Sequence, residues 1–152
     1  MRGSGVGQVI ESNHPDFKVG SLVQGLINWQ EYLVADQSTG LSTVPSGITP
    51  ELALGVLGTT GLTAYFGLLD IGEPLAEEVV LISGAAGATG SVATQIAKIK
   101  GCRVIGIAGG KEKCDWLVSE CRADVAIDYK SESLNEALSK HCPAGVNVFF
   151  DN

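Results

Sequence analysis

Three glycines between an apolar run and a helix-like pattern carry the clearest chemistry in this chain. In residues 79–100, VVLISGAAGATGSVATQIAKIK, the segment Ala85-Ala86-Gly87-Ala88-Thr89-Gly90 reads A-x-G-x-x-G, with a further glycine at Gly84. This is one residue short of the G-x-G-x-x-G turn that grips a dinucleotide pyrophosphate. Gly87 stands where backbone must approach phosphate without a Cβ, and Gly90 where helix and strand must pack closely. Ala85 can make the first turn if its φ stays negative. Phosphate charge would then meet free N–H groups around Ala88, Thr89, Gly90 and Ser91 and the positive end of the helix dipole. The strand before and the helix after separate this reading from that of a Gly/Ala-rich turn that merely packs tightly. A second feature lies downstream. NAD sites place Asp or Glu at the end of the second strand, roughly 20 residues past the glycines. Here that corner is Ala108-Gly109-Gly110-Lys111-Glu112-Lys113. Small residues leave room for a 2′-phosphate, Lys111 and Lys113 can supply positive charge, and Glu112 is expected to face solvent. NADP(H) is therefore the favoured coenzyme. A lysine about 4 Å from a phosphate charge gains about 1 kcal/mol in water-like surroundings and about 4 kcal/mol near a protein surface.

The elements that must position these groups follow from apolar periodicity. Val79–Ile82 has no polar alternation and reads as a parallel strand covered on both faces. After it come a helix at 89–100, a strand at 104–108, a helix at 111–121, a strand at 125–127, a helix at 133–141 and a strand at 146–150. This predicts an α/β fold, the first four strands of a Rossmann doubly wound parallel sheet. Val92, Ile96 and Ile99, with Ala93 and Ala97, are expected to line the apolar flank of the first of these helices. If the strand order is 3-2-1-4-5-6, residues 146–150 form an apolar edge of the kind natural sheets avoid, and the sequence looks like a piece of something longer. Before residue 75 the texture is irregular. Strands are expected at 5–11, 19–23 and 29–35, as part of a small β-rich domain. Thr49 or Ser46 can cap a helix beginning at Pro50, and Leu62, Tyr65, Phe66 and Leu69 predict the core face of a second one. That makes Tyr65 a core residue. Trp29 and Tyr32 either line a pocket or pack a barrel.

Composition narrows the function classes. The chain has 152 residues, 45% of them hydrophobic, and a net charge of −7. Its ten basic residues are scattered, which argues against nucleic acid or an anionic membrane as partner. No apolar stretch approaches the roughly 18 residues of a membrane helix, and the first residues lack the apolar segment of a secretion signal, so cytoplasmic residence is expected. Cys102, Cys114, Cys121 and Cys142 form no C-x-x-C pair. Cys114, Leu117, Val118 and Cys121 share a helical face, so these thiols read as core residues of a reduced protein and no metal site is expected. His14, beside Pro15, and His141, near a helix C-terminus, read as ordinary solvated residues.

Together these residues resemble the zinc-independent branch of the medium-chain dehydrogenase/reductases, specifically the NADPH-dependent leukotriene/prostaglandin and curcumin reductases. The resemblance rests on residues 55–68 (GVLGTTGLTAYFGL), the fingerprint, residues 101–109 (GCRVIGIAG) and the closing Phe149-Phe150-Asp151-Asn152. It implies part of a GroES-like β-barrel substrate domain with connecting helices at 1–74 and part of an NADP-binding Rossmann domain at 75–152. It also implies that Gly87, Ala88, Thr89 and Gly90 hold the pyrophosphate and Lys113 the 2′-phosphate. Tyr129 would make a further phosphate contact and Asn152 a coenzyme contact. Thr89 stands where the family usually has valine. Zinc-dependent relatives carry a cysteine ligand before the fingerprint, whereas residues 45–100 contain neither Cys nor His, which fits the zinc-free branch. The implied activity is hydride transfer to the β-carbon of an α,β-unsaturated ketone or aldehyde by a homodimer. The catalytic residue is not assigned, since the family's tyrosines fall outside this segment. A non-catalytic NADP-binding sensor and an enoyl-reductase module of a larger synthase are the alternatives.

Overall fold

The computed structural model describes residues 3–152. The described backbone forms two compact units, divided between Thr59 and Thr60.

The first unit is an antiparallel meander of β1 (Gly5–Gln8), β2 (Leu22–Gly25) and the short β3 (Ser42–Thr43), in that order. Gln8 pairs with Leu22 and Val23 with Thr43, while Val23 and Val44 supply the buried apolar side chains. The first two strands are shorter than the alternation at 5–11 and 19–23 predicts. Residues 29–35 form no strand. Asn28 takes a left-handed conformation with φ 61°, and the Gln30 amide turns back to the Ile27 carbonyl at 2.6 Å, so the segment has no neighbour to ladder with. Trp29 and Tyr32 are 81% and 75% exposed and do not pack a barrel core. Asp36 and Thr39 then close a capping box around a single 3₁₀ turn, Gln37–Thr39. Helix α1 (Pro50–Leu54) starts as the sequence predicts, with Pro50 in the first turn and the Thr49 hydroxyl accepting the Leu52 N–H at 3.4 Å.

The second unit opens with α2 (Thr59–Phe66) and a π-helical turn, Gly67–Gly72, and continues β4 (Val79–Ile82), α3 (Ala88–Ile99), β5 (Arg103–Ala108), α4 (Lys111–Ser119), β6 (Val125–Asp128), α5 (Leu134–His141) and β7 (Val148–Phe150). Every pairing in its sheet is parallel, and the strand order is β6-β5-β4-β7. Counted from β4 this is 3-2-1-4, so the chain winds outward through β5 and β6 and then returns to the far side of β4. Right-handed crossovers put the helices of the two arms on opposite faces. The core divides accordingly. Val80, Ile82, Val104 and Phe150 pack with Ala93, Ala97, Cys114 and Leu117 of α3 and α4, whereas Leu81, Ile105 and Ile127 pack with Ala137 and Cys142 at α5. Successive residues of β4 and β5 are thus buried on both faces, which explains their unbroken apolar run. Strand β7 has a neighbour on one side only, and Phe149 is 57% exposed there.

Two helix faces differ from expectation. On α3 Val92, Ala93, Ile96 and Ala97 pack on the core as expected, with Gly90 and Thr94 also buried, but Ile99 is 85% exposed. On α2 the buried residues are Gly61 and Ala64, followed by Leu68, while Tyr65 is 49% exposed and meets Phe66 edge-on at 5.3 Å. The most deeply buried residues of both faces are mostly small because they let the helix axis approach the sheet closely. Larger side chains there would hold it away. On α4, Cys114, Leu117 and the following Cys121 are buried as expected, but Val118 is half-exposed.

Candidate functional site

The C-terminal ends of β4, β5, β6 and β7 bring the candidate residues to one edge of the sheet. Leaving β4, the chain turns at Gly84 (φ 51°), where the strain of a left-handed residue falls on glycine and not on Ala85. The Ala85 N–H donates to the Ile107 carbonyl at 3.0 Å and the Gly87 N–H to the Gly84 carbonyl at 2.8 Å, locking the turn to β5 and to itself. Gly90 has no room for a side chain: a Cβ would lie 2.4 Å from the Gly84 carbonyl oxygen and 2.8 Å from Ala85 Cα. At Gly87 the corresponding approach, 3.1 Å to the same carbonyl, is tight. Gly106 completes the packing, since its Cβ would press Ala85 at 2.9 Å.

Gly87 is the N-cap of α3, and no side chain caps the helix there, nor does its first turn carry an acid. The first-turn N–H groups of Ala88, Thr89 and Gly90 therefore lack intrahelical acceptors at the positive end of the helix dipole. That is an anion cradle in donor set and in sterics, and it fits a pyrophosphate.

The reversal of strand order between β4 and β7 is the place where open α/β sheets form their ligand crevice. Ser83 closes it from below. Its hydroxyl donates to Asp151 Oδ1 at 2.6 Å and accepts the Asn152 N–H at 2.8 Å. Asn152 is thereby set against the fingerprint, its carbonyl oxygen 3.2 Å from where a Gly84 Cβ would stand.

The β5 end holds the second cluster. Gly110, with φ 105°, is the N-cap of α4 and donates its N–H to Asp128 Oδ1 at 2.7 Å. That bond, followed by one from the Lys130 N–H, holds the Asp128 carboxyl below its ordinary range. Lys111 is committed to Asp115 one turn on, at 2.7 Å, and that hydrogen bond and charge raise its pKa. Among the described residues the Lys113 ammonium has no ion pair. Lys113 lines an open recess of about 310 Å³ with Ala86, Glu112 and Trp116. Glu112 is exposed, as its place at the start of α4 predicts, and stands at the rim of this open recess with Trp116. The ring of Tyr129 lies over Gly109: a Cβ there would come within 2.8 Å of its Cε1 and hydroxyl. Of the sequence-predicted residues, Gly87, Ala88, Thr89 and Gly90 share the turn after β4 with Asn152, while Lys113 and Tyr129 belong to the corner after β5. Ser83, Asp151, Asp128 and Trp116 are additions that only the folded chain reveals.

All four cysteines are buried and free, and burial raises each thiol pKa, so the thiolate is disfavoured. Among the described residues no group of three His, Cys, Asp or Glu is placed to hold a metal ion. Nor is any helix long and apolar enough to cross a membrane.

Residues 1–44 match a family profile described as the N-terminal domain of oxidoreductase, and residues 88–152 one described as zinc-binding dehydrogenase. The chain is 43% identical to the NADPH-dependent curcumin reductase of Escherichia coli, aligning along 100% of its own length and 44% of that protein's. It is 45% identical to prostaglandin reductase 1 of Mus musculus, again along its whole length and 47% of the relative. A crystal structure of CurA in complex with NADPH from Vibrio vulnificus superimposes with a TM-score of 0.91 at 43% identity, covering 100% of this chain and 45% of that one. The chain spans about half the length of the relatives it matches. Its meander is part of a GroES-like domain and its parallel sheet the first four strands of a Rossmann domain. By strand order, fingerprint and these matches, the chain is similar to the medium-chain dehydrogenase/reductases, in the branch of the curcumin and prostaglandin reductases.

Proposed function

We propose that this chain is the coenzyme-holding portion of an NADPH-dependent reductase acting on the C=C bond of α,β-unsaturated ketones and aldehydes. The observation that carries it is the corner after β5. Where an NAD site would present a carboxylate, this one has Gly109 beneath Tyr129, followed by Gly110, with the unpaired Lys113 at an open recess. Bound there, the coenzyme supplies a hydride to the substrate's β-carbon. The chain's own residues do the holding. Amides of Ala88, Thr89 and Gly90, with Gly87 before them, take the pyrophosphate charge, which the helix dipole favours. Lys113 and Tyr129 take the 2′-phosphate, the lysine as a charge and the phenol as a hydrogen-bond donor. Asn152, fixed by Ser83, offers a side-chain amide beside the fingerprint. Negative charge that develops on the substrate carbonyl requires a donor in a dry pocket. That donor is not assigned to any residue of this chain.

In this reading residues 1–74 belong with the substrate-holding domain and residues 75–152 with the coenzyme domain. The whole protein is a cytoplasmic homodimer without nucleic-acid or membrane partners. The test is titration of the full-length protein with NADPH and NADH, followed by mixing with an enone. Tighter uptake of NADPH and label transfer from deuterated NADPH to the β-carbon support the reading. Tighter uptake of NADH, or of neither coenzyme, overturns it; NADPH uptake without turnover points to a binding protein instead.

A further inference from the structure

The corner after β5 has a second wall, and one residue of it has no part in the reading above. After β6 the chain turns through Asp128, Tyr129 and Lys130. Asp128 Oδ1 accepts the Gly110 N–H at 2.7 Å and the Lys130 N–H at 3.1 Å, so a single carboxylate oxygen fixes the turn after β5 to the turn after β6. The Tyr129 N–H adds a bond to the Ala108 carbonyl at 3.2 Å. With the two turns tied in this way, the Lys130 side chain lies across Gly109 beside the Tyr129 ring. Its Cε is 2.9 Å from where a Gly109 Cβ would stand. The ammonium is one bond beyond that carbon.

The charge is not otherwise engaged. Among the described residues the ammonium of Lys130 has no carboxylate oxygen within 4.0 Å, in contrast to those of Lys98 and Lys111. The acids nearest in sequence are held by backbone: Asp128 by the Gly110 and Lys130 N–H groups, and Glu132 by the Asp128 N–H at 3.1 Å. Lys113 comes to the corner from the first turn of α4 and Lys130 from the turn after β6, so the two cations arrive from different elements.

We propose that Lys130 is a second cation for the adenosine-ribose 2′-phosphate, a specificity-determining residue acting beside Lys113. Asp128 is the positioning residue that sets it there. The proposal rests on the NADP(H) reading and names a residue that reading does not use. A 2′-phosphate carries close to two negative charges at neutral pH, and one lysine leaves part of that charge unmatched. An exposed ammonium a few ångströms away supplies a further gain of about 1 kcal/mol, or about fivefold in affinity.

The experiment is coenzyme titration of the full-length protein and its K130Q and K130R variants, read by nicotinamide fluorescence. The side chain is exposed, so both variants are expected to fold. K130Q is expected to weaken NADPH about three- to tenfold and NADH less than about twofold, with K130R restoring most of the loss. If the parent prefers NADPH and K130Q leaves the NADPH/NADH ratio unchanged, whether by moving neither coenzyme or both alike, Lys130 has no such role while the NADP(H) reading stands. If the parent takes up neither coenzyme or prefers NADH, the underlying reading fails and this proposal with it.

Discussion

Ser83 and Asp151, 68 positions apart in sequence, are joined by a hydrogen bond of 2.6 Å across the ends of β4 and β7. The bond spans the switch in strand order and holds the fingerprint strand to the strand that delivers Asn152. Ser83→Ala removes that donor and also the acceptor of the Asn152 N–H. The expected loss is about 1 kcal/mol of stability, read by urea unfolding. Both coenzymes should weaken to the same extent, since the 2′-phosphate corner is untouched; a change confined to NADPH would contradict the placement.

Gly90→Ala tests the fingerprint's sterics apart from its charge. The added methyl meets backbone atoms at 2.4 and 2.8 Å, which cannot rotate away. Destabilisation of about 1–3 kcal/mol is expected, together with loss of coenzyme uptake. Gly7→Ala is the control, because nothing lies within 4 Å of its Cβ position. It should leave stability within about 1 kcal/mol of the parent.

Asp124 makes the acid limb of stability depend on one partly buried carboxylate. Burial alone raises its pKa, but hydrogen bonds from Lys98 at 2.7 Å and from the Val104 N–H at 2.6 Å, with the Lys98 and Arg103 charges, outweigh this and lower it. The stabilisation is therefore present above the unfolded-state value of about 3.9 and is lost as pH falls through the lower folded value. In Asp124→Asn, unfolding free energy should fall less steeply with acid than in the parent. The pair is partly exposed, so the difference is about 1 kcal/mol or less. Identical acid limbs would refute the assignment.

Thr94 is fully buried in α3, and among the described residues its hydroxyl has no hydrogen-bond partner. Thr94→Val replaces an unsatisfied polar group with a methyl, and a gain of about 1 kcal/mol in unfolding free energy is expected. A loss of the same size would mean that the hydroxyl is bonded in solution.

Phe149 exposes an aromatic ring on a strand with one open side. In the 152-residue chain, Phe149→Lys should reduce concentration-dependent association seen by sedimentation, since a charge on an edge strand opposes strand addition. A monodisperse parent chain would remove the basis for the comparison and for the edge argument.

The parallel half of the fold was legible because burial on both faces leaves a strand with no polar positions, and the glycine turn fixes where the helix begins. Val79–Ile82 is placed at the residues its pattern predicts, and the strand order follows from the fingerprint. The antiparallel half was less legible. Alternation at 29–35 looks like a strand, but a strand also needs a neighbour, and neighbours are set by distant residues. Helix faces were misread for a related reason. Leu62, Tyr65 and Phe66 dominate the hydrophobic pattern, yet Gly61 and Ala64 make the contact because closeness, not side-chain size, was limiting. At the site, glycines and lysines announced themselves by type and spacing. Ser83, Asp128 and Asp151 did not, since each acts through a hydrogen bond to a residue 18 to 69 positions away.

The most deeply buried residues of helix α3 are glycine, alanine and threonine, and the same helix carries the anion-binding amides at its first turn. Its height above the strands therefore sets the level of those amides. A methyl or two added at Ala93 or Ala97, beyond the first turn of the helix, would lift the whole helix and with it the cradle. Substitutions deep in this layer should consequently register as altered coenzyme affinity even where the protein remains folded.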